Sequence, residues 1–140
     1  MSATRLIKLH EGLELRPYRC TSGKLTIGYG RNLEARGITE AEAGELLLND
    51  INELTAQLSS RLYWFWGLSI VRRAVLTDMA YNLGINGLLS FKKTLRHIEL
   101  HDYDAAADEM LNSKWAAQVG QRADRLAEMM KTNHWPRDFC

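Results

Sequence analysis

The sequence is poor in cysteine and proline. Its 140 residues include two cysteines and two prolines. Cys20 and Cys140 cannot form a framework of several disulfides, and their spacing fits no zinc-binding pattern. Because the prolines stand only at positions 17 and 136, nothing between them forces a break in a helix. The sequence therefore excludes a disulfide-stapled scaffold and allows long helical segments.

A strong net charge and long apolar runs are also absent. Eighteen lysines and arginines against 17 acidic residues give a net charge of +1. Binding to nucleic acid without base specificity depends on neutralising many phosphates, so a near-neutral chain with no basic stripe is a poor candidate for it. No apolar run approaches the ~18 residues of a membrane span. We expect no nucleic-acid partner and no stable membrane insertion.

The composition that is present belongs to an ordinary globular domain. Hydrophobic residues make up 46% of the chain and charged residues 25%, enough to bury one core. The N-terminal segment MSATRLIKLHEGLELRPY lacks the apolar region of a secretory signal, which predicts synthesis in a cytosol. The four histidines are dispersed without the spacing of metal ligands. The sequence predicts neither a metal nor an organic cofactor.

Helical periodicity dominates the chain. Ser2 and Gly12 are the expected start and stop of a first helix. Thr39 and Glu42 form a capping box, which predicts the start of a long helix that joins two lobes. Its apolar stripe is Ala43, Leu47, Ile51, Leu54, Leu58 and Leu62. Further helices are predicted over about 70–84, 91–100, 103–111 (with Asp102 as its cap) and 122–131. Four tryptophans in this second half are expected to fill its core: Trp64, Trp66, Trp115 and Trp135.

The segment GKLTIGYGRNL, from Gly23 to Leu33, interrupts the helical pattern. Its glycines disfavour a helix, and the β-branched and aromatic residues between them favour a strand. We predict a small hairpin with its turn at Ser22 and Gly23. Glycines in such a position indicate that the backbone comes close to another group.

Three residues around this hairpin are candidates for chemistry. Glu11 ends the first helix, where the helix dipole favours the protonated carboxyl that a general acid requires; a solvated glutamate at a helix end is the alternative. Cys20 alone fits a small buried apolar residue, and Thr26 alone fits an ordinary strand residue. Their joint spacing, nine positions from Glu11 to Cys20 and six more to Thr26, makes all three candidates.

That spacing, within HEGLELRPYRCTSGKLTIGYG, closely resembles the phage-type lysozymes, glycoside hydrolase family 24, which includes the phage T4 lysozyme. Their pattern is a Glu before a Gly at the end of the first helix, then an Asp or Cys, a Thr and a TIGxG segment. Three later segments resemble the family in the same order: Val71–Gly84, Gly87–Arg96 and Ser113–Arg125. The resemblance covers nearly the whole chain, although the region after Arg31 is shorter than in the T4 enzyme.

The resemblance implies a single α+β, mostly α domain over residues 1–140. Residues 12–38 would form a hairpin lobe, 39–62 a connecting helix, and 1–11 with 63–140 a larger helical lobe. The family binds its polysaccharide in a cleft between the lobes, with the hairpin as one wall, which is the usual place for a ligand site.

The activity implied is hydrolysis of the β-1,4 bond between N-acetylmuramic acid and N-acetylglucosamine in peptidoglycan. Glu11 would be the general acid, Thr26 would hold the attacking water, and Cys20 stands where Asp is commoner. Arg122 matches an arginine that faces the catalytic Glu. The resemblance assigns substrate-binding positions to Leu33, Tyr81, Asn82, Thr94 and Gln118.

Cysteine in place of aspartate changes the chemistry. A free thiol has a pKa of about 8.5 and is mostly uncharged at neutral pH, so it stabilises a cationic transition state poorly. A thiolate can do so, can take a proton from water, or can attack carbon. Arg19 and Arg31 would lower the pKa of Cys20 if they lay close to it. The inverting or retaining course stays open.

Two other readings stay open as well: a non-catalytic peptidoglycan-binding phage protein, and a lytic transglycosylase that cleaves the same bond. With no export signal, the family resemblance implies a monomer that waits in the host cytoplasm. A holin, a pore-forming partner, would let it reach the periplasm and the cell wall at lysis. A prophage or virion-associated context is equally compatible with the sequence. Cys20 and Cys140 are expected to be free thiols.

Overall fold

The computed structural model describes residues 2–137. It is an α+β fold with mostly helical content, as the sequence predicts. The helices are α1 (Ala3–Glu11), α2 (Leu33–Arg36), α3 (Glu40–Arg61), α4 (Ile70–Leu83), α5 (Ile85–Leu89), α6 (Lys92–Glu99), α7 (Tyr103–Leu111), α8 (Lys114–Val119) and α9 (Gln121–Thr132). The strands are β1 (Glu14–Arg19), β2 (Leu25–Gly28) and β3 (Arg31–Asn32).

The predicted caps set the ends of α1. The Ser2 hydroxyl accepts a hydrogen bond from the Arg5 amide at 3.2 Å, as an N-cap does. Gly12 closes the helix with a φ of +70°, and its amide bonds to the Lys8 carbonyl at 3.0 Å. Glu11 is therefore the last helical residue, directly before the chain turns into β1.

The sheet has three antiparallel strands in the order β1-β2-β3. Tyr18 pairs with Thr26, whereas Glu14 pairs with Gly28, so β1 carries two more residues than β2 over the same length. This bulge includes Pro17, which has no N–H to donate to a strand ladder. The hairpin was predicted; the short strand β3 was not, because two residues carry no alternation of apolar and polar side chains.

The capping box at the start of α3 is formed as predicted. The Thr39 hydroxyl accepts from the Glu42 amide at 3.1 Å, and the Glu42 carboxylate accepts from the Thr39 amide at 2.8 Å. The same carboxylate oxygen lies 2.6 Å from Arg31. The Arg31 hydrogen bond, followed by the Thr39 amide, lowers the pKa of Glu42 to about 2. The end of the sheet is thereby fastened to the start of α3.

Contacts divide the chain into two units, Met1–Leu47 and Leu48–Cys140, with the division inside α3. Within residues 2–47, Thr26 is the only buried side chain. The lobe boundaries given above, including the placement of residues 1–11 with the helical lobe, stay predictions.

The second unit contains an extensive apolar core. Its largest fully buried apolar side chains are Leu58, Phe65, Val75, Leu76, Met79, Leu88, Ile98, Met110 and Met130. Trp115 belongs to this core, and Trp64 packs against it. The expectation that all four tryptophans fill the core was wrong for Trp66 and Trp135, which are 60% and 54% exposed. Trp66 instead packs its ring edge-to-face on Phe65.

Most helices of the second unit were predicted within one or two residues of their ends. Asp102 caps α7 by accepting from the Ala105 amide at 3.2 Å, and Gly84 ends α4 with a φ of +77°. The short helices α5 and α8 and a 3-10 turn at Phe65–Gly67 were not predicted. None of the helices within residues 2–137 is both long enough and apolar enough to cross a bilayer.

Candidate active site

Glu11 lies directly against the backbone of the β2–β3 turn. A Cβ atom built on Gly30 would stand 2.8 Å from Glu11 Cδ and closer still to Oε2. Gly30 also has a φ of +72°, in the left-handed region that favours glycine. Two independent reasons, the backbone conformation and the carboxylate, therefore require glycine here. The structure therefore places Gly30 against the carboxylate of the candidate acid. The approach of a polysaccharide to these glycines, which the family resemblance implies, stays a prediction.

Lys8 reinforces the same packing. Its ammonium group stands 5.2 Å from the centre of the Tyr29 ring, which lies next to Gly30 in the turn. A cation over an aromatic face is attractive at this distance. Lys8 is one helical turn before Glu11, so this contact joins the last turn of α1 to the β2–β3 turn.

Cys20 occupies the other end of the hairpin. Its Sγ lies 3.1 Å from Ser22 Oγ. The hydrogen bond from Ser22 lowers the pKa of Cys20 to about 7, and the backbone groups of Lys24 and Ser22 act in the same direction. An acid with a pKa near 7 is substantially ionised at neutral pH, so Cys20 can act as a thiolate.

The two arginines considered for this effect are paired elsewhere. Arg19 lies 2.9 Å from Glu34 and Arg31 lies 2.6 Å from Glu42. The low pKa of Cys20 comes from hydrogen bonds within its own turn instead.

Thr26 is buried on β2, and its hydroxyl proton is already used in a hydrogen bond within the protein. It is 3% exposed, and its Oγ1 donates to the Lys24 carbonyl at 2.8 Å. A hydroxyl has one proton and two lone pairs. With the proton directed to Lys24, the lone pairs remain available to accept a hydrogen bond from a water. Cys20 and Thr26 thus lie on one hairpin, in the same unit as Glu11.

The remaining candidates have varied surroundings. Leu33 is half-buried at the start of α2. Tyr81 is 50% exposed near the end of α4, and Gln118 is exposed on α8. Asn82 accepts a hydrogen bond from Trp115 Nε1 at 2.8 Å, so its amide oxygen has a structural partner.

Thr94 is 2% exposed on α6. Together with Trp115 and Ser113 it lines a shallow pocket of about 450 Å³ within the second unit. The pocket also contains three lysines: Lys92, Lys93 and Lys114.

Arg122 forms an ion pair on the surface of the second unit. Its Nε donates to Asp78 Oδ1 at 2.8 Å, and NH2 lies 2.8 Å from the same oxygen. The guanidinium thus uses two nitrogens on one carboxylate oxygen of α4. The pairing of Arg122 with Glu11 stays a prediction.

Two features of the site escaped sequence reasoning. The contact of Glu11 with Gly30 depends on where the end of α1 stands relative to the β2–β3 turn, which no local pattern encodes. The contact of Ser22 with Cys20 is local, and the sequence CTSG contained its signal: a turn that brings a hydroxyl back to the residue two positions earlier. Among residues 2–137, no group of three or more His, Cys, Asp or Glu side chains could hold a metal ion. Cys140 lies outside the described residues.

A carboxylic acid, an ionisable thiol and a buried hydroxyl on one small unit are compatible with the class of hydrolytic enzymes that act through an acid and a second group. The comparisons agree with this class. The family model described as phage lysozyme matches residues 8–131. The chain belongs to the phage lysozyme family, and it is a glycoside hydrolase of the lysozyme type.

Individual relatives support the assignment along most of the chain. The chain is 30% identical to an endolysin from Acyrthosiphon pisum secondary endosymbiont phage 1, over 90% of this chain and 86% of that protein. It is 27% identical to the probable T4-type lysozyme 1 of Dictyostelium discoideum, over 91% and 92%. It is also 25% identical to the pre-baseplate central spike protein Gp5 of Enterobacteria phage T4, over 96% of this chain but 28% of that protein.

Proposed function

We propose that this peptidoglycan-hydrolysing lysozyme cleaves the β-1,4 bond between N-acetylmuramic acid and N-acetylglucosamine, with Glu11 as general acid, Cys20 as the second group and Thr26 as the water-holding hydroxyl. The proposal rests on the contact between the Glu11 carboxylate and the backbone of Gly30. Both residues belong to the unit that also contains the hairpin with Cys20 and Thr26. A carboxylic acid placed close to the hairpin is what protonation of a leaving oxygen there requires.

In the proposed reaction, Glu11 gives its proton to the glycosidic oxygen as the bond to the anomeric carbon breaks. The positive charge that develops on the sugar is stabilised by an anion on the opposite side. Cys20 meets that need as a thiolate, because its pKa is about 7.

Thr26 and Cys20 supply the water step. The Thr26 hydroxyl donates to Lys24, so it accepts a hydrogen bond from the water and directs the water oxygen to the anomeric carbon. In an inverting course, the thiolate removes the second proton of that water. In a retaining course, sulfur attacks the anomeric carbon as the leaving oxygen takes the Glu11 proton. Water then displaces the sulfur as a thiolate, and the Glu11 carboxylate takes the proton of that water.

The Glu11→Gln variant tests the assignment of the acid. Glutamine keeps the size of the side chain but has no proton to give, so lysis of permeabilised Gram-negative cells should fall by at least about 100-fold, the lower end of what general acid catalysis contributes. Glu14→Gln is the matched control, since Glu14 lies three residues away on β1. Retention of most activity in Glu11→Gln, or an equal loss in Glu14→Gln, contradicts the proposal. A non-catalytic peptidoglycan-binding protein would give no lysis with any variant.

Product analysis separates the possible courses. Digestion of purified murein in ¹⁸O-labelled water should place the label in the new reducing end. Time-resolved NMR of the first product gives its anomeric configuration, which distinguishes inversion from retention. A lytic transglycosylase would leave unlabelled 1,6-anhydro ends, visible by mass spectrometry, and that result would replace hydrolysis.

The remaining roles are part of the same proposal. Tyr81, half-exposed, would stack on a sugar face; Tyr81→Ala should raise KM more than it lowers kcat. Arg122 would pair with Glu11. Leu33, Asn82, Thr94 and Gln118 would contact the polysaccharide. We propose a monomer in the host cytoplasm that passes a holin to reach the periplasm and wall.

A further inference from the structure

The turn that carries Cys20 has a defined geometry. Cys20 and Lys24 face each other, with the Cys20 amide bonded to the Lys24 carbonyl at 3.0 Å. The Gly23 amide bonds back to the Cys20 carbonyl at 2.8 Å, and Gly23 has a φ of +80°. A three-residue loop that ends with a left-handed glycine is a common hairpin connection. It leaves Ser22 at the position from which a side chain points back toward Cys20.

The turn is fastened from outside. One Arg19 nitrogen donates both to the Gly23 carbonyl at 3.1 Å and to Glu34 at 2.9 Å. The same Glu34 oxygen accepts from the Leu25 amide at 3.1 Å. The Leu25 amide, followed by Arg19, lowers the pKa of Glu34, so this carboxylate is ionised at neutral pH. These hydrogen bonds stabilise the turn in the conformation that places Ser22 beside Cys20.

The direction of the Ser22–Cys20 hydrogen bond depends on the state of the sulfur. A thiol is a weak donor and a weak acceptor, whereas a thiolate only accepts and accepts strongly. When Cys20 is ionised, Ser22 O–H must be the donor across the 3.1 Å contact. The contact is therefore stronger for the anion than for the neutral thiol. It favours the ionised form and holds the sulfur in one orientation.

We propose that Ser22 is a positioning residue for the active site, which holds the sulfur of Cys20 as an oriented anion. The inference rests on the proposed function, because the use of Cys20 in catalysis is part of that proposal. Ser22 acts through Cys20 and need not touch the sugar. Loss of its hydroxyl should weaken the second group and leave Glu11 in place.

The first test measures the thiol without reference to catalysis. In a Cys140→Ser background, Cys20 is the only thiol, and its rate of alkylation by iodoacetamide is measured from pH 5 to 10. The midpoint should lie near 7 in this parent. In Ser22→Ala it should rise toward the ordinary thiol value, with alkylation at pH 7 slower by about fivefold. Ser22→Thr, which keeps a hydroxyl, should restore the parent midpoint.

Thr21→Ala is the matched control, because it removes the other hydroxyl of the same turn. It should keep the parent midpoint. An unchanged midpoint in Ser22→Ala, or an equal rise in Thr21→Ala, overturns the inference.

The second test links the thiol to turnover. The limb of the pH profile of kcat/KM that reports the Cys20 thiol should move upward in Ser22→Ala by the same amount as the thiol midpoint, and Ser22→Thr should return it. A profile of kcat/KM that stays in place while the thiol midpoint moves overturns the positioning role.

Failure of the proposed function is recognised separately: Cys20→Ala would then lyse cells at the parent rate. If Cys20→Ala loses activity while Ser22→Ala changes neither profile nor midpoint, only the inference about Ser22 fails.

Discussion

Gly28 and Gly30 frame the β2–β3 turn with almost the same backbone conformation but different neighbours. Their φ angles are +70° and +72°. A Cβ on Gly28 meets nothing within 4 Å, whereas one on Gly30 meets the Glu11 carboxylate. A substitution at Gly28 therefore causes backbone strain alone, whereas the same substitution at Gly30 causes the strain and also displaces the Glu11 carboxylate.

We predict that Gly30→Ala loses at least about 100-fold in lysis rate, since misplacement of a catalytic group by about 1 Å can cost that much. Gly28→Ala should carry a similar strain, about 1–2 kcal/mol, and keep far more activity. The lysis rates and hydrogen-exchange protection of the hairpin amides are measured for both. Equal activities in the two variants would mean that Glu11 is not held by Gly30.

The titration of Cys20 predicts a pH dependence of hairpin stability. Its pKa is lowered in the folded state to about 7, so between pH 7 and the ordinary thiol value the folded chain has released a proton that the unfolded chain still binds. Stability should therefore rise with pH across that range and be lost as pH falls through 7. Hydrogen exchange of hairpin amides should show the parent gaining protection relative to Cys20→Ser from pH 6 to 9. A ratio of parent to Cys20→Ser protection factors that does not change with pH would contradict the titration assigned to Cys20.

At the residue scale, sequence reasoning could name the candidate residues but could not place their contacts. The spacing of Glu11, Cys20 and Thr26 is readable in one dimension. The contact of Glu11 with Gly30 depends on where the end of α1 stands relative to the β2–β3 turn. The contact of Arg19 with Glu34 depends on α2, which has four residues and no readable periodicity.

At the scale of elements, the start of α3 is the feature that the sequence predicts most clearly. The capping box is formed by Thr39 and Glu42 in both directions. Thr39→Ala should cost about 1 kcal/mol, seen as roughly fivefold faster exchange of the amides in the first turn of α3. Thr55→Ala, in the interior of the same helix, is the control and should leave that turn unchanged. Identical effects would show that the box does not determine the helix start.

Helix ends were predictable where a side chain or glycine sets them. Ser2, Thr39 and Asp102 accept backbone hydrogen bonds as their positions in the sequence predict. The helices α5 and α8 were missed because five or six residues are too few for an apolar stripe to emerge. For α8, the Ser113 cap was the available signal: its hydroxyl accepts from the Ala116 amide at 3.1 Å.

At the scale of the whole molecule, apolar burial is concentrated in the second unit. Leu76 is fully buried in its core, and Leu100 is 58% exposed. Leu76→Ala should lower the free energy of unfolding by about 2–5 kcal/mol through lost burial and a cavity. Leu100→Ala should stay within about 0.5 kcal/mol. Urea unfolding of both variants checks this, and equal midpoints would contradict the assigned core.

The tryptophans mark the limit of whole-molecule prediction from sequence. Aromatic residues usually fill cores, and Trp115 does so by packing its ring edge against Phe91. Trp66 stays at the surface with Arg73 over its ring. Hydrophobicity alone does not distinguish the two residues, because the difference lies in which neighbours the helices bring to each ring.

The division of the chain into units has a practical consequence for spectroscopy. All four tryptophans lie within Leu48–Cys140, as do six of the nine helices found among residues 2–137. Glu11, Cys20 and Thr26 belong to Met1–Leu47. Intrinsic fluorescence and far-UV circular dichroism therefore report mainly on the half that carries the core. A preparation with native-looking spectra can have a frayed hairpin and no activity. Only a probe attached to the hairpin, such as the Cys20 thiol or the ring of Tyr29, reports on the chemistry.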